Sequence, residues 1–157
     1  MPRWPKRKPR PGMDEYGRTP LWYHALNGDV VGIRAELAAG ADPSFGDDVS
    51  YSPLHAAVQE GRVEAVQVLL AAGADPNKAD KHGNGPLWMA VLSAPKAVRV
   101  EIIAALLVAG ADPDHKNRVG RSPREVATEI GHGLELPFAT RAVKHAEPGA
   151  APDPAGM

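Results

Sequence analysis

The sequence predicts an all-α protein built from a helix–turn–helix unit that recurs about four times along the chain. The first observation is the block GADP, whose prolines are separated by 33 and 37 residues and stand at Pro43, Pro76 and Pro113. The second observation is a proline block with spacings of 33, 33 and 37, written TPLW from Thr19, SPLH from Ser52, GPLW from Gly85 and SPRE from Ser122. Because both blocks gain four residues in the same unit, they belong to one repeat, and a fixed period near 33 residues is a signature of repeat architectures.

The proline blocks mark the start of the first helix in each unit. A serine or threonine hydroxyl accepts hydrogen bonds from free amides at a helix start, and proline at the first helical position loses no hydrogen bond. Gly85 makes the weakest start because glycine offers no side-chain acceptor. We expect these helices to be short and to end where glycine can adopt the left-handed conformation, near Gly28, Gly61 and Gly131.

A second helix follows and ends at the GADP block. In EAVQVLLAAG, an apolar stripe at helical spacing contains Val66, Leu69 and Leu70. Gly73 ends this helix, and the following Ala-Asp-Pro leads the chain out in an extended conformation. We expect Leu70 to pack between neighbouring units, so that Leu70→Ala costs ~2–5 kcal/mol. No single unit can bury its stripe alone, so the units must stack.

Turn sequences and an insertion complete the pattern. DEYG, from Asp14 to Gly17, and DKHG, from Asp80 to Gly83, supply turn residues ahead of the first helices. The four extra residues fall near SAPKAV, from Ser93 to Val98, between the two helices of the third unit. We expect them to lengthen that connection into a protruding loop.

The pattern Asp-x-x-Gly-x-Thr-Pro-Leu-His, followed by Gly-Ala-Asp-x-Asn at a period of 33 residues, resembles the ankyrin repeat. The resemblance implies an ankyrin-repeat solenoid of about four helix–turn–helix repeats with short hairpin-like turns. It covers about residues 14–145, divided into 14–46, 47–79, 80–116 and 117–145. The Pro-rich basic arm, residues 1–13, and the tail, residues 146–157, have compositions typical of disordered segments.

The chain departs from the family pattern in the first helices. The family's first-helix histidine is present as His55, and the same register holds Trp22, Trp88 and Glu125 in the other repeats. We interpret His55 as a structural residue that ties the turn to the helix, in preference to a metal ligand. We interpret the two tryptophans as packed toward the hairpin base; the alternative is that they anchor a partner at the surface.

Further departures concern the turns and the last repeat. Ser50 stands where Gly17, Gly83 and Gly120 stand in the other repeats. Repeat four has Arg124 in place of the leucine, and its second helix, LPFATRAVKH, is irregular. Terminal repeats of a stack are atypical because one of their faces meets water.

Composition and motifs predict neither catalysis nor membrane insertion. The chain has no cysteine, which removes disulfides, thiolate nucleophiles and cysteine-based zinc sites. It has no apolar run long enough to span a bilayer, and its basic start leads into no apolar segment of a secretion signal, so we expect a cytoplasmic protein. HGNG, from His82 to Gly85, lacks the strand and the Lys-Ser/Thr of a phosphate loop. We therefore expect no enzyme activity, no cofactor and no metal.

The resemblance also implies where a partner binds, because stacked repeats present an extended concave surface built from turn tips and first helices. Carried over by position, the candidate partner-binding residues at the tips are Glu15, Tyr16 and Arg18; Asp48, Val49 and Tyr51; Lys81, His82 and Asn84; and Arg118, Val119 and Arg121. The candidates on the first helices are Leu26, Asn27, Gln59, Glu60 and Leu92, followed by Ser93, Glu129 and Ile130. Tyrosine and arginine dominate interface energetics; the alternative for any single residue is a merely solvated turn.

Charge and resemblance together indicate a function. Residues 1–13 carry five Lys/Arg and no acid, and the rest of the chain has 13 basic against 19 acidic side chains, a net charge of −6. We predict a non-enzymatic module that binds one protein partner and is monomeric when unbound. PLWMAV and GADPDHKNRVGRSPREVA also resemble small stand-alone bacterial ankyrin proteins, some of which are immunity proteins. That resemblance implies an inhibitor of a toxin, and an acidic inhibitor is steered toward a basic enzyme. The alternative is an adaptor that contacts nucleic acid through the basic arm.

Overall fold

The computed structural model describes residues 10–131 and contains seven helices and no strand within that range. The helices are α1 (Pro20–Asn27), α2 (Val30–Ala38), α3 (Pro53–Gln59), α4 (Val63–Ala71), α5 (Pro86–Leu92), α6 (Lys96–Val108) and α7 (Pro123–Ile130). The first helices of the repeats, α1, α3, α5 and α7, pack side by side in one row, and α2, α4 and α6 form a second row behind them. The predicted all-α repeat solenoid is therefore confirmed.

The starts of the first helices follow from their capping residues. The Ser52 and Ser122 hydroxyls each accept the N–H of the residue three positions later, whose side chain in turn accepts the serine N–H. The Thr19 hydroxyl accepts the Trp22 N–H at 3.2 Å. Gly85 supplies no side-chain cap, as expected for glycine.

The glycines after the first helices reverse the chain in two of the three predicted places. Gly28 and Gly61 have φ values of 71° and 69°, and in each case the second helix begins two residues later. Gly131 has a φ of −68°, so the prediction that it closes α7 in the left-handed conformation is wrong. The described residues end there, and the predicted second helix of repeat four lies outside them.

The predicted protruding loop in the third repeat is wrong. The connection between α5 and α6 is residues 93–95, as short as the connection 60–62 between α3 and α4. The extra residues instead lengthen α6 to 13 residues, against nine in α2 and α4. Four residues make about one helical turn, so the insertion extends the helix and keeps the later side chains on the same face. Ala94 in the connection is fully buried.

The core is a continuous apolar band between the two rows of helices. It includes Leu54 and Leu69 from the second repeat and Ile103 from the third, all with 0% exposure. The predicted α4 stripe is confirmed for Val66 and Leu69, but Leu70 is only half-buried and lines an open groove between α4 and α6. The expectation that Leu70 supplies a core contact between repeats is therefore corrected. Leu69 is fully buried, whereas Leu70 is partly exposed where it packs against the core, because it lies about 100° further around the helix.

Ser50 is strained relative to the equivalent glycines. Its φ is 62°, while Gly17, Gly83 and Gly120 have φ values of 76°, 80° and 79°. A side chain in this region costs about 1–2 kcal/mol, part of which is offset because glycine makes the unfolded chain more flexible. We expect Ser50→Gly to raise the free energy of unfolding by about 0.5–1 kcal/mol in urea denaturation. Gly83→Ser is the reciprocal control and should destabilise, since its Cβ would lie 3.0 Å from the Arg118 nitrogen. Destabilisation by Ser50→Gly would contradict the strain.

The predicted arm and tail fall mostly outside residues 10–131. The four arm residues that the structure describes form a turn, in which the Met13 N–H donates to the Arg10 carbonyl at 3.0 Å. The Arg10 guanidinium forms an ion pair with Asp48. No helix in the described part of the chain has the length and apolar character that a membrane span requires.

Candidate partner-binding surface

The four turns share one geometry. In each, a side-chain Oδ1 accepts the backbone N–H groups two and four residues further on; these acceptors are Asp14, Asp47, Asp80 and Asn117. Each of the last three turns also donates a backbone N–H to the previous turn, with the pairs Asp48–Tyr16 (2.9 Å), Lys81–Val49 (2.9 Å) and Arg118–His82 (3.0 Å). We call this row of four linked tips, residues 14–18, 47–51, 80–84 and 117–121, the tip edge.

The tip edge and the ends of the first helices form one surface. The Tyr51 hydroxyl donates to Gln59 Oε1 at 2.5 Å, and Arg121 forms an ion pair with Glu129. Each bond joins a tip to the end of the first helix that follows it. Burial raises the pKa of the Tyr51 hydroxyl, which keeps the proton for its hydrogen bond.

The structure places all the predicted binding residues on this surface but exposes them to different extents. The exposed ones are Glu15, Tyr16, Asn27, Asp48, Val49, Gln59, Glu60, Lys81, His82, Leu92 and Arg118. The half-buried ones are Arg18, Leu26, Tyr51, Asn84 and Arg121. Several half-buried side chains are engaged within the protein: the Arg18 guanidinium lies over the Trp22 ring at 4.5 Å, and Asn84 Oδ1 accepts from the Asn117 amide at 2.9 Å. These residues shape the surface. Among the exposed residues, Gln59 and Asp48 also have partners within the protein.

Trp22 and His55 join neighbouring repeats in the same way. Trp22 Nε1 donates to the Tyr51 carbonyl at 3.1 Å, and His55 Nε2 donates to the Asn84 carbonyl at 3.0 Å; each acceptor lies 29 residues further along the chain. Trp22 is buried and Trp88 is half-buried against the core, as the packing interpretation requires. Trp22 and His55 occupy the same position of their repeats. This shared position could have predicted that Trp22 makes the equivalent hydrogen bond, but the bond was not predicted from the sequence.

His55 is buried in its neutral form. Its Nδ1 accepts the Ser52 N–H at 3.1 Å while Nε2 donates to the Asn84 carbonyl, so an added proton on Nδ1 would remove the acceptor. Burial lowers the pKa of His55 below its ordinary value of 6.5, although the hydrogen bond to Asn84 opposes the shift. The unfolded chain therefore takes up a proton at a higher pH than the folded chain, and stability is lost as the pH falls below about 6.5.

We expect the free energy of unfolding to decrease as the pH is lowered from about 7 to about 5, because His55 must charge. The pKa values of Asp14 and Glu125 are lowered below 3.8 and 4.5. Protonation of these two carboxylates therefore destabilises the protein only at lower pH. Urea denaturation across this pH range checks the expectation, with His55→Gln as the non-titrating control. Equal pH slopes for the two proteins would show that another group carries the effect. If His55→Gln does not fold, NMR titration of the wild-type ring gives the His55 pKa directly.

The surface also exposes apolar side chains at regular positions. Tyr16, Val49 and Val119 occupy one position of the tips, and their exposed fractions are 55%, 37% and 78%. Leu92 and Ile130, at the ends of first helices, are also exposed. These side chains supply the exposed apolar area of the tip edge and of the neighbouring first-helix ends.

A second exposed face was missed by the sequence analysis. Between α2 and α4 lies an open groove of about 590 Å³ that includes Arg34 and Glu64, and between α4 and α6 a second groove of about 420 Å³ includes Leu70 and Val108. Both belong to the second-helix row and contain none of the predicted binding residues. Among residues 10–131, no three His, Asp or Glu side chains come together in a group that could hold a metal ion.

Comparison with known protein families matches residues 21–117 to ankyrin repeats, in three copies. The match runs from α1 to the turn before α7. Of the three tip-to-tip hydrogen bonds, it contains both partners of the Lys81–Val49 bond and one partner of each of the other two. No curated protein matches the sequence.

Proposed function

Because the chain belongs to the ankyrin repeat family, whose repeats indicate a protein–protein interaction module, we propose that it binds one partner protein through the tip edge and the first-helix ends. The observation that carries the proposal is the row of exposed apolar side chains at Tyr16, Val49 and Val119. Burial of apolar area supplies affinity, and tyrosine is among the residue types that dominate interfaces. The backbone bonds between tips hold these side chains on a fixed edge, which lowers the entropy lost on binding.

In its sharpest form, the proposed function is that of an inhibitor, such as an immunity protein, that neutralises a toxin by covering it. Support comes from charge: residues 14–157 carry a net charge of −6, which steers association toward a basic enzyme. Ankyrin repeat proteins are generally non-enzymatic, and blocking a partner requires only a complementary surface. We propose that the protein acts as a cytoplasmic monomer without a cofactor; oligomeric state and location stay predictions.

The alternative function is an adaptor that contacts nucleic acid through the arm. The observation in its favour is the run of five Lys/Arg in residues 1–13, since cations that neutralise phosphates give salt-dependent binding. One of the five, Arg10, is already paired with Asp48. The net negative charge of the remaining chain opposes a polyanion, so we favour the protein partner.

Deletion of residues 1–9 separates the two functions, and it leaves the Arg10–Asp48 ion pair in place. With tagged protein and extract of the source cell, we expect one protein partner to stay bound through a high-salt wash, with and without residues 1–9. The tip edge, rather than the arm, supplies the contact in this account. Bound nucleic acid that high salt releases, and that the deletion abolishes, would instead establish the adaptor. If a toxin is captured, an activity assay with equimolar protein tests the inhibition.

A further inference from the structure

One position of the tip edge changes sign along the stack. The second residue of each tip is, in order, Glu15, Asp48, Lys81 and Arg118. All four are exposed, and the last three each donate their N–H to the preceding tip. The edge therefore presents two carboxylates over the first two repeats and two cations over the last two.

The carboxylate half has counter-ions within the protein. Arg10 forms an ion pair with Asp48. In the tip that contains Asp48, the Oδ2 atom of Asp47 lies 3.8 Å from Nε of Arg18, which belongs to the first tip. These pairs partly neutralise the acidic half of the edge. A partner that covers the second tip meets two carboxylates, Asp47 and Asp48, that already have cations beside them.

The cationic half differs, because Lys81 and Arg118 form no ion pair with any residue in the range 10–131. The neighbouring cations of repeat four do have carboxylate partners, in the pairs Lys116–Glu125, Arg121–Glu129 and Arg124–Asp114. Among the described residues, Lys81 and Arg118 are thus the cations of the edge that are left for a binding partner.

The two cations lie close enough to act on one short segment. Arg118 donates its N–H at 3.0 Å to the carbonyl of His82, the residue next to Lys81. Val119, beside Arg118, is 78% exposed and adds an apolar contact at the same place. A guanidinium can hold a carboxylate through two parallel hydrogen bonds, which makes arginine suited to such a contact.

We propose that Lys81 and Arg118 bind a carboxylate-bearing segment of the partner protein, with His82 and Val119 completing the contact. This inference rests on the proposed function and names the chemistry of one part of its interface. Proteins that bind nucleic acid obtain their affinity from many phosphate contacts, and two cations supply only a small number of these. The apolar side chain of Val119 makes no favourable interaction with a phosphate. A partner that is basic overall is compatible with this contact, since net charge acts at long range and the ion pair acts at contact.

The test uses the full chain, labelled with ¹⁵N for NMR, and three probes: a hexaglutamate peptide, a hexalysine peptide and a 12-nucleotide single strand. We expect hexaglutamate to give saturable shifts at the amides of Lys81, His82 and Arg118. The double variant Lys81→Ala/Arg118→Ala should weaken this binding about fivefold, as two exposed ion pairs allow. The control Arg34→Ala/Lys96→Ala removes two exposed cations from the second-helix row and should leave the affinity unchanged.

Several outcomes would overturn the inference. Shifts spread over all cations, or an equal loss of affinity in the control variant, would show non-specific charge attraction. Tighter binding of the oligonucleotide at the same amides would assign this position to nucleic acid.

Capture of the partner protein by different variants tests this inference separately from the proposed function. We expect Lys81→Ala/Arg118→Ala to reduce capture while Arg34→Ala/Lys96→Ala does not. The tip variant is Tyr16→Ala/Val49→Ala/Val119→Ala. If the two charge variants still capture the partner but the tip variant does not, the inference of a carboxylate-binding position is overturned and the proposed function stands. Capture that resists all three variants would overturn both.

Discussion

Leu69→Ala should lower the free energy of unfolding by about 2–5 kcal/mol. Leu69 is completely buried between the two rows of helices, at the centre of the α4 stripe. Each repeat of a stack contacts only its neighbours, so a cavity in the second repeat weakens its contacts on both sides. A loss of this size is a large part of the roughly 5–15 kcal/mol that stabilises a domain.

Leu70→Ala is the matched control for Leu69→Ala, since it deletes the same atoms from the next residue of α4. Leu70 is half-buried beside an open groove, so its loss should cost only about 1 kcal/mol. Urea denaturation followed by circular dichroism measures both variants. Equal losses, or a larger loss for Leu70→Ala, would contradict the orientation of α4.

Trp22→Ala should be at least as damaging, with a loss of about 3–5 kcal/mol. The Trp22 side chain is buried, its Nε1 bonds to the Tyr51 carbonyl of the next repeat, and its ring lies beneath the Arg18 guanidinium. The substitution therefore opens a cavity and also removes one of the polar links between the first two repeats. Because this link supports the tip edge, we also expect weaker partner binding.

Trp22→Phe separates packing from hydrogen bonding at this position. It keeps an aromatic ring and removes the N–H donor. The Tyr51 carbonyl still accepts the Asp47 N–H at 3.1 Å, so the expected loss is about 1–2 kcal/mol. Thermal or urea denaturation of the two variants gives the comparison. A Trp22→Ala protein as stable as wild type would show that Trp22 does not hold the first repeat in place.

The fold could be predicted from the sequence because its signals are local. A hydroxyl before proline starts a helix, and a glycine after the helix reverses the chain, as at Gly28 and Gly61. The repeated Ser52, Gly61 and Gly73 positions therefore fix the helix bounds of one repeat, and the period transfers them to the next. Placement of the candidate binding residues on one surface followed from the same register.

The parts that could not be predicted depend on packing. The spacing shows that the third repeat has four extra residues, but whether they extend a loop or add a turn to α6 depends on the neighbouring helices. Leu69 and Leu70 are the same residue type, and only the orientation of α4 distinguishes them. The Arg10–Asp48 ion pair joins residues 38 positions apart, so no local pattern reveals which charges of the tip edge have counter-ions.

Quantitative capture with two triple variants shows directly whether a partner protein binds at the tip edge. The tip variant, Tyr16→Ala/Val49→Ala/Val119→Ala, removes exposed apolar groups from the edge. The matched control variant, Val31→Ala/Val100→Ala/Val108→Ala, removes exposed apolar groups from α2 and α6 instead. We predict that one identified protein binds wild type and the matched control variant equally and is reduced at least about tenfold by the tip variant. If the tip variant still binds the partner and the matched control variant does not, the interface lies on the second-helix row and not on the tip edge.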